Sequence, residues 1–226
     1  MIIEAPSPNL DERPGATPID MLVMHYTGME TAAEALARLC DPESKVSAHY
    51  LIDEDGAVYR LVPERLRAWH AGVSAWRGWT DINARSIGIE LVNPGHVFGY
   101  RAFPDAQMAA TVELSQEIVA RHAIPARNVV AHSDVAPGRK MDPGELFDWT
   151  QLAAAGVGLW PKDSQICIMD PDVIADMLAK VGYEMSDPVA ALKAFQRHFR
   201  PERLTGRIDF GTARRLAGLL EACTGT

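Results

Sequence analysis

The sequence predicts an α/β fold, a sheet layered with helices on at least one face, followed by a small all-helical segment. Short apolar runs that read as buried strands (21–24, 86–92, 128–132) alternate with stretches of helical periodicity (31–40, 105–122). Beyond residue 160 only the helical period remains. At 226 residues the chain has room for one well-buried core and a small second module. We therefore divide it into a first domain over 1–160, a linker at 161–170 and a helical domain at 171–226.

After a Pro-rich lead, Met21-Leu22-Val23-Met24 reads as a buried strand that delivers His25, Tyr26 and Thr27 at its C-terminal end, before Gly28 breaks the element. Over 31–40, Ala32, Leu36, Leu39 and Cys40 share one helical face. Residues 48–52 and 57–62 flank Asp53-Glu54-Asp55-Gly56, whose final Asp-Gly predicts a hairpin. The β-branched Ile87 and Ile89 suit a central strand at 86–92. Asp105 is the expected cap of a helix running to about 122, with Met108, Val112 and Val119 inward. A last short strand is expected at 128–132, with Pro-Gly loops at 137–138 and 143–144. Trp160-Pro161-Lys162-Asp163 reads as a linker. Three apolar stripes follow: Val173, Met177 and Val181; Leu192, Phe195 and Phe199 behind Asp187-Pro188, a favourable cap and first-turn pair; and Ala213, Leu216 and Leu220.

Charge and composition exclude several classes. The net charge is −8 and the basic residues are scattered, so the concentrated basic face that phosphate neutralisation requires is missing and nucleic acid is not expected as a partner. Cys40, Cys167 and Cys223 are odd in number and far apart, which predicts idle thiols rather than a disulfide framework. No apolar run approaches the roughly 20 residues needed to span a bilayer, so no membrane partner is expected. The opening MIIEAPSPNLDERPG lacks the basic and apolar regions of a signal peptide, which predicts a cytoplasmic protein, a periplasmic one being the alternative if the chain is exported or trimmed. A monomer is the default expectation.

The sequence holds no HExxH pair, no G-x-S-x-G elbow and no P-loop. Among its seven histidines, His25 and His132 each end an apolar run, where α/β sheets carry functional groups. A catalytic zinc takes three protein ligands and leaves a position open for water. Asp142, in the loop PGRKMDPG ten residues beyond His132, offers a carboxylate as the third, and Lys140 in the same loop sets a cation near an oxyanion. Glu90 interrupts an apolar strand: it is a candidate general base if it faces the site, and an ordinary surface residue if it faces solvent. Lys140 likewise reads as an active-site cation or a solvated loop lysine.

Five blocks of sequence, MHYT at 24–27, VSAHYLIDEDG at 46–56, AWHAG at 68–72, SIGIELVN at 86–93 and AHSDVAPGRKMDPG at 131–144, resemble the N-acetylmuramoyl-L-alanine amidases of the AmpD and AmiD type (amidase type 2). They occur in the family's order across roughly residues 20–160. The resemblance implies a central mixed β-sheet flanked by helices. It implies Zn2+ held by His25, His132 and Asp142, with Glu90 and Lys140 assisting hydrolysis of the bond between N-acetylmuramic acid and L-alanine in peptidoglycan or released (anhydro)muropeptides. Arg139 is expected to meet a carboxylate of the peptide stem, with an ordinary surface arginine the alternative, and Tyr26, His49 and His70 fall inside family-like blocks as substrate-site candidates, with core packing the alternative for the two histidines. Val181-Gly182-Tyr183, Ala194-Phe195-Gln196 and GRIDFGTARRL at 206–216 resemble the helical peptidoglycan-binding module that often follows such amidases, although the pattern departs between Thr205 and Gly211. A purely structural helical cap is the alternative. Related recognition proteins that keep the fold without a complete metal triad, and zinc hydrolases of other amides, are the rival functional classes.

Overall fold

The computed structural model describes residues 2–224; the last two residues of the expected helical domain lie outside that range. In chain order the strands and helices are β1 (Ile2–Glu4), β2 (Leu10–Glu12), β3 (Met21–Tyr26), α1 (Ala32–Leu39), β4 (Tyr50–Ile52), β5 (Val58–Arg60), β6 (Leu66–Ala68), α2 (Ile82–Arg85), β7 (Ser86–Leu91), α3 (Gly95–Phe98) and α4 (Asp105–His122). They continue with β8 (Val129–Ala131), α5 (His132–Val135), α6 (Trp149–Ala154), α7 (Pro171–Val181), α8 (Pro188–Phe199) and α9 (Phe210–Thr224). Six strands form a mixed sheet in the order β1-β5-β4-β7-β3-β8, and β2 pairs with β6 in a separate antiparallel ribbon.

The two longest strands, β3 and β7, lie side by side in parallel, with His25 opposite Glu90. Each is apolar almost throughout because both faces of this sheet are covered. One face presents Leu22, Met24, Ile87, Ile89 and Val129 to α4 and α6. The other presents Met21, Val23 and Val130 to a cluster that also contains Phe195 and Leu216 of the C-terminal helices, while Leu51 packs with Ala35 and Leu39 of α1. Phe195 is fully buried, a contribution of about 2–3 kcal/mol by area removed from water.

Local chemistry accounts for the helix starts. Thr31 caps α1, its hydroxyl accepting from the Glu34 amide, and Asp187 caps α8 with Pro188 at the first position. Two expectations need correction. Asp105 is the first residue of α4 rather than its cap, and the buried face of that helix is Gln107, Met108, Thr111, Leu114, Ser115 and Ile118, with Val112 and Val119 only half-buried. Gln107 faces inward because its side-chain amide donates to the carbonyls of Ile52 and Val92, both at 3.0 Å. In α7 the buried stripe is Ile174, Met177, Leu178 and Val181, and Val173 is exposed. Among the described residues, no helix is long and apolar enough to cross a membrane.

Candidate metal centre

The C-terminal ends of β3 and β8 bring His25 and His132 together, and the loop after α5 returns Asp142 to them. His25 Nδ1 lies 2.9 Å from His132 Nδ1 and 3.1 Å from Asp142 Oδ2, and His132 Nδ1 lies 2.9 Å from the same oxygen. All three residues are buried. Ligands at zinc's usual 2.0–2.1 Å in a tetrahedron are separated by about 3.3 Å, so this cluster is close to the required size.

The protons of the two imidazoles can be assigned from their outer partners. His132 Nε2–H donates to the Ala71 carbonyl at 3.0 Å, which leaves Nδ1 as a lone pair. For His25 the assignment runs through a chain. Ser86 Oγ–H donates to the Ile82 carbonyl at 2.7 Å, so Ser86 Oγ accepts from His70 Nε2–H at 3.1 Å. His70 Nδ1 then accepts from His25 Nε2–H at 3.0 Å, and His25 Nδ1 is left as a lone pair. Two lone pairs and a carboxylate converge on one point, an arrangement that a divalent cation stabilises. Burial, then the neighbouring His132, push the His25 pKa down to about 4, against the pull of Asp142. Burial opposes the charge on Asp142, but His132 and His25 outweigh it and hold its pKa below the ordinary value.

Gly88 of β7 explains how His70 reaches this position: a Cβ there would lie 2.5 Å from the His70 Cγ. His49 lies on the far side of His70, with ring centroids 5.7 Å apart. Its Nδ1 accepts from the Gly88 amide at 3.0 Å and its Nε2–H donates to the Leu66 carbonyl at 3.1 Å. It ties β7 to β6 and is off the cavity wall. Arg13, in the Pro-rich lead, donates to the carbonyls of Asn83, Ala84 and Ser86 and so secures the start of β7. Sequence reasoning assigned nothing to Arg13 or Ser86; the mixture of a charge and turn residues in the lead gives no local sign of a partner some 70 positions away.

A cavity of about 370 Å³ opens over this cluster, walled by Tyr26, Trp69, Glu90, His132, Lys140 and Asp142 among others. Register decides the orientation of Glu90: opposite His25 on parallel strands, it shares that residue's face of the sheet. Its Oε2 is out of contact with solvent and has no hydrogen-bond partner. Burial, then Asp142, raise its pKa well above the ordinary carboxylate value, with Lys140 pulling the other way. Arg139 also lines the cavity, yet its Nε and Nη2 donate to the carbonyls of Ala71 and Val73, at 2.6–3.0 Å. Those donors shape the 71–73 loop, and Nη1 has no hydrogen bond among the described residues. Tyr26 OH is paired with His96 Nδ1 at 2.9 Å.

AmiD, an N-acetylmuramoyl-L-alanine amidase of Escherichia coli, is 39% identical over 90% of this chain and 83% of its own length. The structure of AmiD with anhydro-N-acetylmuramic acid-L-Ala-D-gamma-Glu-L-Lys superimposes with a TM-score of 0.83, covering 92% of this chain and 91% of that one. AmpDh3 of Pseudomonas aeruginosa, in complex with an anhydromuramic pentapeptide, gives a TM-score of 0.78 at 33% identity, covering 93% and 94%. The 1,6-anhydro-N-acetylmuramyl-L-alanine amidase AmpD of Citrobacter freundii is 35% identical over 66% of this chain and 87% of its own. Residues 15–145 match the family description N-acetylmuramoyl-L-alanine amidase. With the mixed sheet, the strand-end histidines and these likenesses in agreement, the chain belongs to the N-acetylmuramoyl-L-alanine amidase family.

Proposed function

We propose that this protein hydrolyses the amide between the lactyl carbonyl of N-acetylmuramic acid and L-alanine, in peptidoglycan or in released (anhydro)muropeptides, with zinc held by His25, His132 and Asp142. The observation that carries the reading is the convergence of two proton-free imidazole nitrogens and one carboxylate oxygen within 3.1 Å at the base of the cavity. Nitrogen and oxygen donors of this kind suit zinc. Zinc bound there supplies Lewis acidity, which polarises the carbonyl and makes water a stronger acid.

The chain's own groups divide the remaining work. Glu90, on the cavity wall, takes a proton from the attacking water on its carboxylate and returns it to the departing alanine nitrogen, so the carbonyl carbon gains oxygen as the C–N bond breaks. Its raised proton affinity suits both transfers. Lys140, on the cavity wall with no ion pair among the described residues, steadies the negative oxygen of the tetrahedral state. Tyr26 and the free Nη1 of Arg139 contact the substrate, Arg139 through a stem carboxylate. His70 sets the His25 tautomer and His49 fixes the strand beneath it.

The test is peptide release. Metal-loaded parent and Asp142→Ala proteins are incubated with a soluble anhydro-muropeptide and with intact sacculi, and mass spectrometry follows stem peptide beginning at L-alanine. Release by the parent alone supports the reading. The preferred substrate separates recycling of soluble fragments in the cytoplasm from remodelling of the polymeric wall outside it. A folded, zinc-loaded parent that releases peptide from neither would sink the amidase reading in favour of a recognition module.

A further inference from the structure

We propose that Tyr183 and His198, contributed by the C-terminal helical segment, are positioning residues for the candidate metal ligand His132, acting through Asp134. This inference rests on the metal reading above. Asp134 is fully buried, two residues beyond His132 in α5. Its Oδ2 accepts from the Ala131 amide at 2.8 Å and from His198 Nδ1–H at 2.6 Å, and its Oδ1 accepts from the Tyr183 hydroxyl at 2.8 Å. A carboxylate that accepts three hydrogen bonds, two of them from another part of the chain, has few orientations open to it.

The bond to Ala131 defines the turn from β8 into α5, and the next residue is His132. The His132 ring is held from its other end by the Ala71 carbonyl. Fixing the backbone at Ala131 and the ring at Nε2 fixes where Nδ1 points. Tyr183 sits just past α7, and its ring packs edge-on against Trp76 at 5.1 Å. His198 lies in α8, its ring stacked on Trp149 at 3.7 Å. Both side chains are buried and held by these rings, so the position of the helices is transmitted to Asp134 with little slack. In this way a segment that supplies none of the clustered ligand atoms governs the direction of one.

The test compares the full chain with Tyr183→Phe/His198→Leu and with His198→Asn, whose side-chain amide can donate from near the Nδ1 position. Zinc affinity is read by competition with a chelating indicator well below the unfolding temperature, and the visible absorption of the cobalt-substituted protein reports ligand geometry. The double variant is expected to lose affinity about tenfold or more, the range for outer partners of metal ligands, with an altered cobalt spectrum and a fall in kcat at unchanged KM. His198→Asn is expected to stay near the parent. Should the double variant fail to fold, Tyr183→Phe alone is expected to move the same readouts in the same direction by less. A variant that melts earlier yet keeps zinc affinity within twofold and an unchanged cobalt spectrum would overturn the inference by showing a purely structural clamp. A parent that binds no divalent metal would overturn the metal reading, and this inference with it.

Discussion

Replacing Gly88 by alanine tests the histidine chain with a single methyl group. The added Cβ would lie 2.5 Å from Cγ, 2.6 Å from Nδ1 and 2.7 Å from Cδ2 of His70, where carbon atoms in contact stand about 3.5–4.0 Å apart. Gly88 is in the middle of the central strand β7 and its amide donates to His49, so the backbone cannot retreat without breaking the ladder. His70 must move by about 1 Å, and its 3.0 Å bond to His25 Nε2 is then lost. Two separable effects are expected. Overpacking lowers the stability of the metal-free protein by about 1–3 kcal/mol. Loss of the partner that sets the His25 tautomer weakens zinc by about 10- to 100-fold, equivalent to about 1.4–2.7 kcal/mol. Urea denaturation of the metal-free protein reads the first, and chelator competition at pH 7.5 reads the second. Zinc affinity within twofold of the parent, in a protein that has lost stability, would refute the role given to His70.

Three further outcomes are expected. Glu90→Gln lowers kcat by about 10²- to 10⁴-fold and leaves the melting temperature unchanged or higher, since the neutral amide removes the cost of a carboxylate with an unpaired buried oxygen; a peptide-release assay and a melt check both halves. Lys140→Met keeps zinc but lowers kcat by about 10²-fold or more, and full activity in that variant would remove Lys140 from the mechanism. Burial, then the charge on Arg13, push the His49 pKa from 6.5 down to about 3, so the unfolded chain takes up this proton first on acidification. The contribution of neutral His49 is therefore complete above about pH 6.5 and fades below it, by about 2 kcal/mol between pH 7.5 and pH 5. His25 and His70 are shifted in the same direction and add to the loss. Glu90, whose raised pKa makes its contribution grow on acidification, opposes them, so urea titrations of the metal-free Glu90→Gln protein at the two pH values measure the histidine sum, and stability that rises on acidification contradicts it.

The parts of the fold legible in the sequence were those specified locally. β3 and β7 announce themselves as apolar runs because both faces are buried, and α8 does so through its Asp-Pro start. The strands β1, β2 and β6 span three residues each and exist only through pairing with distant partners, so nothing local marks them. On α4 the inward Gln107, Thr111 and Ser115 conceal the buried face because they are polar; hydrogen bonds hold Gln107 and Thr111 inside. The same division runs through the site. His25, His132 and Asp142 stood out as strand ends and a following loop, and the structure brings them together. The facing of Glu90 needed the register between β7 and β3. The parts played by His70, Ser86 and Arg13 depend on which ring nitrogen meets which partner, information that spacing along the chain does not contain.

The shared core beneath the C-terminal helices bears on how such a chain can be cut or recombined. Met21, Val23, Val130 and Val135 are each 2% exposed or less, and they are packed in one cluster with side chains from α7, α8 and α9. Ending the chain in the stretch after Trp160 would turn four core positions, two of them on the strand that carries His25, into an apolar patch facing water. A shorter amidase derived from this one would need polar substitutions on β3 and β8 before it was soluble, and a graft of these helices onto another catalytic domain would need matching apolar residues on the recipient's strands. Gain or loss of the segment is thus coupled to the composition of the sheet.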